Sequence, residues 1–527
     1  MKKYTISLII FTTFMSLVSC SANTNTPNKV EETVVETVPV SPKHEFKKLS
    51  LPYLSSKNFA YKNINSLKKK SDTLFTDTYS DIEGVFTFRG NNFRNSPSFG
   101  ISSITNNSLK EKWKFKTDFS SWGGGAGWTG QPALIKWPKE LKEKMNLSKS
   151  FKEKADGIEA IYASLDGNIY FLDAQTGEQT RKKINVGNPI KGSISIDPRG
   201  LPLRYVGEGI NETSSIGFNI FSLIDGKRLY KLPGNDIDAP RAWGAFDSSC
   251  IIDAKNDIVF APAENGLIYK IKLNSNYNIE KNTISINPKI EKYRYNLGSK
   301  PGIESSIATY SNLGYFADNN GFAQCIDLDT MKPIWKLDLS DDTDATLTLD
   351  IENDIPYLYA GNEVDMQGSL GYSKIKKIDG LTGKVSWEKS FKCESLLGSS
   401  PVNGGLLSTP VMGKNSISNL AIFSLSRYDG FNSGLLVALD KSNGDIIWEK
   451  KLPNYAWSSP VDFYDKDGNG FIILGDSSGT LHLIDGASGN TLTTLNLDAN
   501  IEASPAIFED FLVIATRNGS IYGIEIQ

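Results

Sequence analysis

The sequence predicts an all-β fold, an eight-bladed β-propeller whose ring is closed by an N-terminal strand. Three observations lead to this prediction: a hairpin unit that recurs along the chain, a marker dipeptide before each unit, and a turn followed by Trp that closes several units. Consecutive markers are 40 to 63 residues apart, and repeats of about 40–50 residues with four short strands are typical of propeller blades. The length of 527 residues suits one large all-β domain with further N-terminal segments.

The recurring unit is an apolar strand, an Asp-Gly or Asn-Gly turn, and a second apolar strand that ends in Asp and a Gly-containing turn. Its clearest copy runs from Ile161 to Gly177, with the first turn at Asp166-Gly167. Such a turn between apolar runs is a strong β-hairpin signal and predicts positive φ at both turn residues. Other copies have turns at Asn265-Gly266, Asn320-Gly321, Ser478-Gly479 and Asn518-Gly519.

The marker is a small polar residue followed by Pro or an apolar residue. Pro is tolerated at the first position of a strand, where no interior ladder hydrogen bond is lost. Eight markers therefore predict eight inner strands. They are Gln131-Pro132, Ser193-Ile194, Ser249-Cys250, Ser306-Ile307, Thr346-Leu347, Thr409-Pro410, Ser459-Pro460 and Ser504-Pro505.

The two ends of the repeat region complement each other. Several units end in a turn followed by a strand that carries Trp, as at Trp335, Trp387 and Trp448. The chain ends with the strand Ile521–Gln527, and no Trp-bearing strand follows it. Leu109–Phe115 is an isolated strand that carries Trp113. We expect Leu109–Phe115 to complete the last blade, because a closed ring removes exposed sheet edges.

The copy at Ile161–Gly177, with Trp following the turn in later copies, resembles the PQQ-like propeller repeat over about residues 105–527. That family includes quinoprotein alcohol dehydrogenases and the non-enzymatic BamB-like lipoproteins of outer-membrane assembly. The resemblance to the BamB-like branch implies a scaffold for envelope proteins. One fold hosts many functions, so the repeat itself does not choose between the branches.

The N-terminus has the organisation of an exported protein. Residues 1–19 have a positive start and an apolar run from Ile6 to Val18, which is too short to span a membrane and predicts a signal peptide. The ending Leu-Val-Ser-Cys resembles a bacterial lipobox, which implies lipid, such as palmitate, on Cys20; the alternative is an ordinary secretory signal with an incidental Cys. We expect a flexible stalk over residues 20–80 and the propeller over 81–527, anchored outside the cytoplasm to a bacterial cell membrane.

Composition excludes several classes of function. With 57 Lys and Arg against 60 Asp and Glu, the net charge of -3 argues against a nucleic-acid partner. The two histidines do not suit His-based catalysis. The quinoprotein dehydrogenases among the proteins that share this repeat carry two adjacent cysteines beside the quinone. After Cys20 this chain has only Cys250, Cys325 and Cys393, far apart, so no PQQ is expected.

A binding rim is predicted by position in the repeat. The residues three before the second residue of each marker should lie together where the inner strands begin, around one mouth of the channel. They are Thr129, Lys191, Asp247, Glu304, Asp344, Leu407, Trp457 and Glu502. With two nearby indoles, the predicted binding residues are Trp128, Trp243, Asp247, Glu304, Asp344, Trp457 and Glu502. Acids and aromatic faces suit sugars, cationic groups or a partner's loop; the alternative is packing tryptophans and solvated strand ends.

A possible cation loop lies at residues 465–476. Asp465, Asp467 and Asn469, with Gly at the sixth position, follow the start of an EF-hand-type loop, and Asp476 takes the twelfth position. These residues predict a structural Ca²⁺ site. The alternative, which we favour, is a polar turn.

The sequence thus predicts a membrane-anchored lipoprotein whose propeller is a non-catalytic interaction scaffold, with envelope proteins as partners. Two alternatives stay open: a PQQ-dependent dehydrogenase, and a sensor that binds a glycan or another small ligand.

Overall fold

In the described part of the chain, eight antiparallel sheets form the blades of a β-propeller. The computed structural model describes residues 44–55, 59–67, 71–127, 130–296, 300–398 and 401–527. Phe46–Gln527 form one compact unit. The predicted signal peptide and Cys20 lie outside the described residues. Among the residues that are described, no helix is both long enough and apolar enough to cross a membrane.

Each of the first four blades has four principal strands, which follow one another from the channel outward. Blade 1 consists of Ala133–Ile135, Glu159–Ala163, Asn168–Asp173 and Ile184–Asn185. Blade 2 consists of Ser195–Ile196, Leu203–Gly207, Gly217–Ser222 and Arg228–Pro233. Blade 3 consists of Ile251–Asp253, Ile258–Pro262, Leu267–Lys272 and Lys289–Tyr295. Blade 4 consists of Ala308–Tyr310, Leu313–Ala317, Phe322–Asp327 and Lys332–Asp338.

The last four blades follow the same plan. Blade 5 consists of Thr348–Glu352, Ile355–Ala360, Leu370–Asp379 and Val385–Glu394. Blade 6 consists of Val411–Met412, Leu420–Ser426, Gly434–Asp440 and Ile446–Leu452. Blade 7 consists of Val461–Tyr464, Gly470–Gly475, Thr480–Asp485 and Thr491–Asn496. Blade 8 consists of Ala506–Phe508, Phe511–Thr516, Ser520–Ile526 and Leu109–Lys116.

Short elements decorate this ring. Further strands are Tyr61–Ile64, Gly84–Val85, Ser98–Phe99, the hairpin Asn276–Asn278 with Thr283–Ser285, and the pair Glu363–Val364 with Gly404–Gly405. Two α-helices, Lys139–Lys144 and Lys149–Glu153, and a 3₁₀ helix, Asn415–Ile417, complete the described elements.

The prediction of ring closure by the N-terminal strand is confirmed. Leu109–Lys116 pairs antiparallel with Ser520–Ile526, and Trp113 lies opposite Gly523. The Trp113 indole donates to the carbonyl oxygen of Ala174 in blade 1 at 2.9 Å. Its ring lies so close to Gly177 that a Cβ there would meet it at 2.7 Å. Trp335, Trp387 and Trp448 repeat this contact with the blades that follow theirs.

The hairpin turns occur where the sequence predicts them, but only the glycine has positive φ. Gly167 has φ +79°, whereas Asp166 is not among the residues with positive φ. The Gly167 N–H donates to the carbonyl of Ser164 at 3.0 Å, and the Asp166 carboxylate accepts from the Asn168 N–H at 3.0 Å. The loop therefore has four residues instead of two, and a left-handed glycine at its end matches the twist of the strands.

The two ends of the blades carry different loops. We name the end at which the inner strands begin the marker face, since the markers immediately precede these strands. Because successive strands alternate in direction, the marker face also carries the loops between second and third strands and the connections between blades. The opposite face carries the Gly turns that contact Trp.

The predicted stalk over residues 20–80 is wrong for the described residues from 46 onward. Tyr61–Ile64 adds a fifth strand to the outer edge of blade 3, with Tyr61 opposite Tyr295. Phe59 and Phe75 are buried, and the Leu54 N–H donates to the carbonyl of Pro333 at 2.9 Å. Aromatic residues scattered among polar ones give no periodic signal, so their burial against blades 3 and 4 is visible only in the structure.

Candidate functional site

The segment Gly84–Phe99 occupies the channel and contacts the inner region of every blade. At its ends, Gly84–Val85 pairs with the inner strand of blade 1 and Ser98–Phe99 pairs with that of blade 8. Between these ends its hydrogen bonds reach blades 2 to 7. They involve Ile196, Cys250, Thr309, Leu349, Pro410 and Pro460. The channel therefore has a floor made of this segment.

Two buried arginines attach the segment to the markers. Arg89 donates to the carbonyls of Pro460 at 2.6 Å and Pro410 at 3.1 Å. Arg94 donates to the carbonyl of Ile307 at 2.9 Å and to that of Ser249 at 3.2 Å. Both are fully buried, and burial lowers the pKa of each to about 10. The markers thus do more than begin the inner strands. Their backbone carbonyls also accept hydrogen bonds from the segment in the channel.

A ring of hydrogen bonds joins the markers of neighbouring blades. In six links the backbone N–H of one marker donates to the side-chain hydroxyl of the next. The links are Gln131 to Ser193, Ser249 to Ser306, Ser306 to Thr346, Thr346 to Thr409, Thr409 to Ser459 and Ser459 to Ser504, at 2.8 to 3.3 Å. The Ser504 N–H reaches the Gly130 carbonyl at 2.9 Å. Small hydroxyl residues recur in the markers, and their side chains accept these hydrogen bonds.

Acidic residues gather above this ring, on the marker face. We name this group, together with one lysine, the acidic mouth. Its members are Lys191, Asp247, Glu264, Glu304, Asp342, Asp344 and Glu363. The connections that precede the inner strands of blades 2 to 5 supply five of these residues, and the loops after the second strands of blades 3 and 5 supply Glu264 and Glu363.

One half of the acidic mouth has an internal counter-charge. Lys191 forms an ion pair with Asp247 and lies 3.9 Å from Glu264. Carboxylate oxygens of Asp247, Glu264 and Glu304 all lie within 4.8 Å of one another. Burial lowers the pKa of Lys191, but Asp247, Glu304 and Glu264 together raise it overall. The lysine is therefore charged and holds this half of the mouth together.

The other half lacks such a partner in the described part of the chain. Asp344 and Glu363 are joined to each other by a side-chain hydrogen bond. Apart from this contact, Asp342, Asp344 and Glu363 each keep a buried carboxylate oxygen without a hydrogen-bond donor. Glu363 is only 1% exposed and accepts from the side chain of Asn403 at 3.0 Å. Lys191 acts to lower the pKa of Asp344, but its ion pair is with Asp247.

Burial and mutual repulsion favour the protonated form of several of these acids. The pKa values of Glu264, Asp342, Asp344 and Glu363 are raised well above the ordinary range, first by burial and then by neighbouring carboxylates. A desolvated carboxylate without a cation is costly, so the neutral acid is favoured. A cation bound beside this half of the mouth would stabilise the ionised carboxylates and so lower their pKa values.

The structure brings together four of the positions aligned by the repeat, Lys191, Asp247, Glu304 and Asp344, but it buries them more than a solvated rim would. Leu407 lies beside Glu304 and Asp344 in a small cavity. The sequence prediction missed Glu264, Asp342 and Glu363, which come from loops or from other positions of the repeat. Glu264 could have been found, because it directly precedes the Asn265-Gly266 turn.

The remaining predicted rim residues do not belong to the acidic mouth. Glu502 accepts from Asn500 at 2.9 Å and lies 3.4 Å from Arg517. The Trp457 ring contacts that of Tyr455 at 5.6 Å between centroids. Trp243 is partly exposed on the marker face. Trp128, like Thr129, lies outside the described residues.

The residues of the predicted Ca²⁺ loop form a hairpin turn. Asp465 accepts from the N–H groups of Asp467 at 3.0 Å and Asn469 at 2.8 Å, and from the Asn469 side chain at 2.8 Å. Asp476 lies at the other end of the following strand and contacts His482 at 2.9 Å. The spacing to Asp476 was therefore misleading, because an extended strand separates it from the turn. The geometry is that of a polar turn.

The channel offers little room for a cofactor. Its cavity above Phe88 has a volume of about 10 Å³ and is lined by Glu304, Asp344, Leu407 and marker hydroxyl residues. Drug-sized ligands occupy pockets of about 300–1,000 Å³. The three described cysteines, Cys250, Cys325 and Cys393, are buried and unpaired in separate places. These residues do not fit a tricyclic quinone.

Fold and repeat together define an eight-bladed PQQ-like β-propeller. Residues 432–527 match a family model described as "Outer membrane protein assembly factor BamB". A BamB of that same name from Kangiella koreensis is 28% identical over 93 residues, which cover 18% of this chain and 23% of the relative. The chain therefore aligns with about a quarter of that relative's length.

Solved structures share the fold at low sequence identity. The crystal structure of BamB from Moraxella catarrhalis has a TM-score of 0.51 and 16% identity, covering 79% of this chain and 100% of that one. A quinohemoprotein alcohol dehydrogenase from Pseudomonas putida HK5 has a TM-score of 0.57 and 12% identity, covering 84% and 80%. The family match and these likenesses support a PQQ-like β-propeller, BamB-like family for this chain.

Proposed function

We propose that this protein is a lipid-anchored, extracytoplasmic lipoprotein whose propeller acts as a non-catalytic protein-interaction scaffold in the cell envelope. The BamB-like family supports a scaffold, and the motif at Cys20 supports the lipid anchor. The relatives' name describes outer-membrane protein assembly; for this chain we propose the broader role of organising envelope proteins.

The distribution of exposed apolar side chains is the observation that carries this proposal. Of the 16 large exposed apolar or aromatic residues in the described part of the chain, ten lie in loops or strand ends of the marker face. They are Phe119, Trp122, Ile237, Trp243, Met366, Leu370, Tyr372, Leu396, Leu397 and Phe431. Exposed apolar side chains gathered on one face are typical of a protein interaction surface.

The dehydrogenase alternative has less support. Its quinone needs a pocket of several hundred Å³, whereas the channel cavity has about 10 Å³. Arg89 and Arg94 fix the segment that fills the channel, so opening such a pocket would break their hydrogen bonds. A closed channel with an apolar outer face suits a scaffold better.

Affinity purification from the native envelope tests the proposal. The tagged full-length protein is expressed in its own organism, the envelope is solubilised, and co-purifying proteins are identified by mass spectrometry. We expect specific envelope proteins to be enriched with the wild type. A Cys20→Ala variant, which should lose the lipid, separates bound partners from proteins that merely share the membrane.

The opposite result would contradict the proposal. If the wild type enriches no protein beyond the Cys20→Ala control and an untagged strain, the scaffold role is wrong. Dye-linked oxidation of alcohols by the purified protein after addition of PQQ would favour the dehydrogenase instead.

A further inference from the structure

The apolar residues of blades 5 and 6 lie in the same loops as the unbalanced half of the acidic mouth. Glu363 and Met366 belong to one loop of blade 5, and the strand pair Glu363–Val364 with Gly404–Gly405 joins it to the next connection. Asn403 in that connection donates to Glu363. Buried carboxyl groups and exposed apolar side chains are therefore neighbours.

The apolar residues belong to neighbouring loops and strand ends of the marker face. The long hairpin Leu370–Asp379 with Val385–Glu394 pairs Leu370 with Glu394 and Tyr372 with Lys392. Leu370 and Tyr372 consequently project from the same side of the hairpin, because side chains alternate along a strand. Leu396 follows the end of the partner strand by two residues and is also exposed. Tyr372 is 51% exposed and Met366 is 57% exposed. We name Met366, Leu370, Tyr372, Leu396 and Phe431 the apolar patch.

Phe431 extends the patch onto blade 6. Its ring stacks on the guanidinium of Arg427 at 4.1 Å, and the Arg427 side chain donates to the Asn403 carbonyl at 3.2 Å. Asn403 thus lies between the apolar patch and Glu363. A ligand on the patch would cover Asn403 and reach the acidic mouth.

The charge of the mouth indicates what such a ligand must carry. Asp342, Asp344 and Glu363 keep buried oxygens without donors, and Glu363 is nine-tenths buried or more. A guanidinium offers five N–H donors and an ammonium three, and neither loses its charge at neutral pH. A basic side chain would supply both the missing positive charge and the missing donors.

We propose that this region of the marker face binds a segment of a partner protein in which an Arg or Lys is flanked by apolar residues. The basic side chain lies against the mouth on the side of Glu363 and Asp344, outside the small cavity above Phe88, and the flanking residues cover the apolar patch. This inference rests on the scaffold function and names the chemistry of its partner.

Site-specific photo-cross-linking in the intact envelope tests the proposal. p-Benzoylphenylalanine replaces Tyr372 in the full-length lipoprotein, and a matched control carries it at Ile446, an exposed apolar residue of the opposite face. We expect an adduct at least about tenfold more abundant from position 372, since a specific interface is confined to one face. Mass spectrometry of the adduct should identify a partner segment with an Arg or Lys beside apolar residues.

Charge-neutral variants test the role of the acids. In the position-372 background, Glu363→Gln and Asp344→Asn should each lower the adduct yield at least about fivefold, because a desolvated charge pair is lost. Asp445→Asn, an exposed acid of the opposite face, should leave the yield unchanged. Thermal unfolding of each variant checks that the propeller remains folded.

The outcomes separate this inference from the scaffold proposal. If affinity purification enriches partners but position 372 gives no adduct, or the two acid variants cross-link like wild type, the docking surface is refuted and the scaffold role stands. An adduct whose partner segment has no basic residue also refutes the inference. If purification enriches nothing, the scaffold role itself fails.

Discussion

Replacing Arg94 by Met should destabilise the propeller by about 4 kcal/mol, because three buried carbonyls lose their donor. Arg94 donates to the carbonyl oxygens of Ile307 and Phe88 at 2.9 Å and of Ser249 at 3.2 Å. A buried acceptor left without a donor costs about 1–3 kcal/mol, so the three together cost about 3–9 kcal/mol. Burial of the guanidinium, which lowers its pKa to about 10, offsets part of this loss.

Differential scanning fluorimetry of the purified protein can measure the effect. Unfolding entropy is about 2.1 cal/mol/K per residue, which gives about 1 kcal/mol/K for the roughly 480 residues of the folded unit. We therefore expect Tm to fall by about 4 °C in Arg94→Met and by less in Arg94→Lys, which keeps the charge. Lys227→Met, a surface substitution, is the matched control. A decrease in Arg94→Met no larger than in this control would refute the view that the channel segment stabilises the ring.

Two further predictions concern the blade contacts and the acidic mouth. Gly383→Ala should lower Tm more than Gly368→Ala: both glycines have positive φ, but a Cβ at Gly383 meets the Trp335 ring at 2.8 Å, whereas at Gly368 nothing lies within 4 Å. The pKa of Glu363 is higher in the folded protein than in the unfolded chain, where it is about 4. The protonated carboxyl therefore contributes fully to the free energy of unfolding below about pH 4, and this contribution is lost as the pH rises toward the folded pKa. Glu363→Gln should therefore reduce the fall in Tm between pH 5 and pH 8 relative to wild type, while Asp445→Asn should not; an equal fall in Glu363→Gln would contradict the raised pKa.

The repeat made much of the site predictable. Asp247, Glu304 and Asp344 precede their markers by the same number of residues. Because the blades share one geometry, such residues lie at the same height along the propeller axis. Lys191 follows the same rule, and the structure pairs it with Asp247. The alignment could not reveal that these acids are buried, because burial depends on how closely neighbouring loops cover them.

Other residues of the mouth and channel carry no periodic signal. Glu363 belongs to a short strand pair between blades 5 and 6, outside the regular repeat. Arg89 and Arg94 precede the first marker, in a segment whose hydrogen-bond partners lie up to 410 residues away, as between Phe99 and Glu509. Contacts over such separations are decided by the closed ring, since no local pattern specifies them.

By itself the sequence determined the blades: hairpin turns, strand-initial markers and the complementary terminal strands are local features, and their recurrence specifies an eight-bladed closed ring. Only the tertiary structure decided how the channel is filled and where charge is left unbalanced. The segment Gly84–Phe99 enters the channel because buried marker carbonyls require donors, which Arg89 and Arg94 supply. The pKa values of Asp342, Asp344 and Glu363 are raised because burial and neighbouring carboxylates act on them while Lys191 is paired with Asp247, and this depends on distances across the ring.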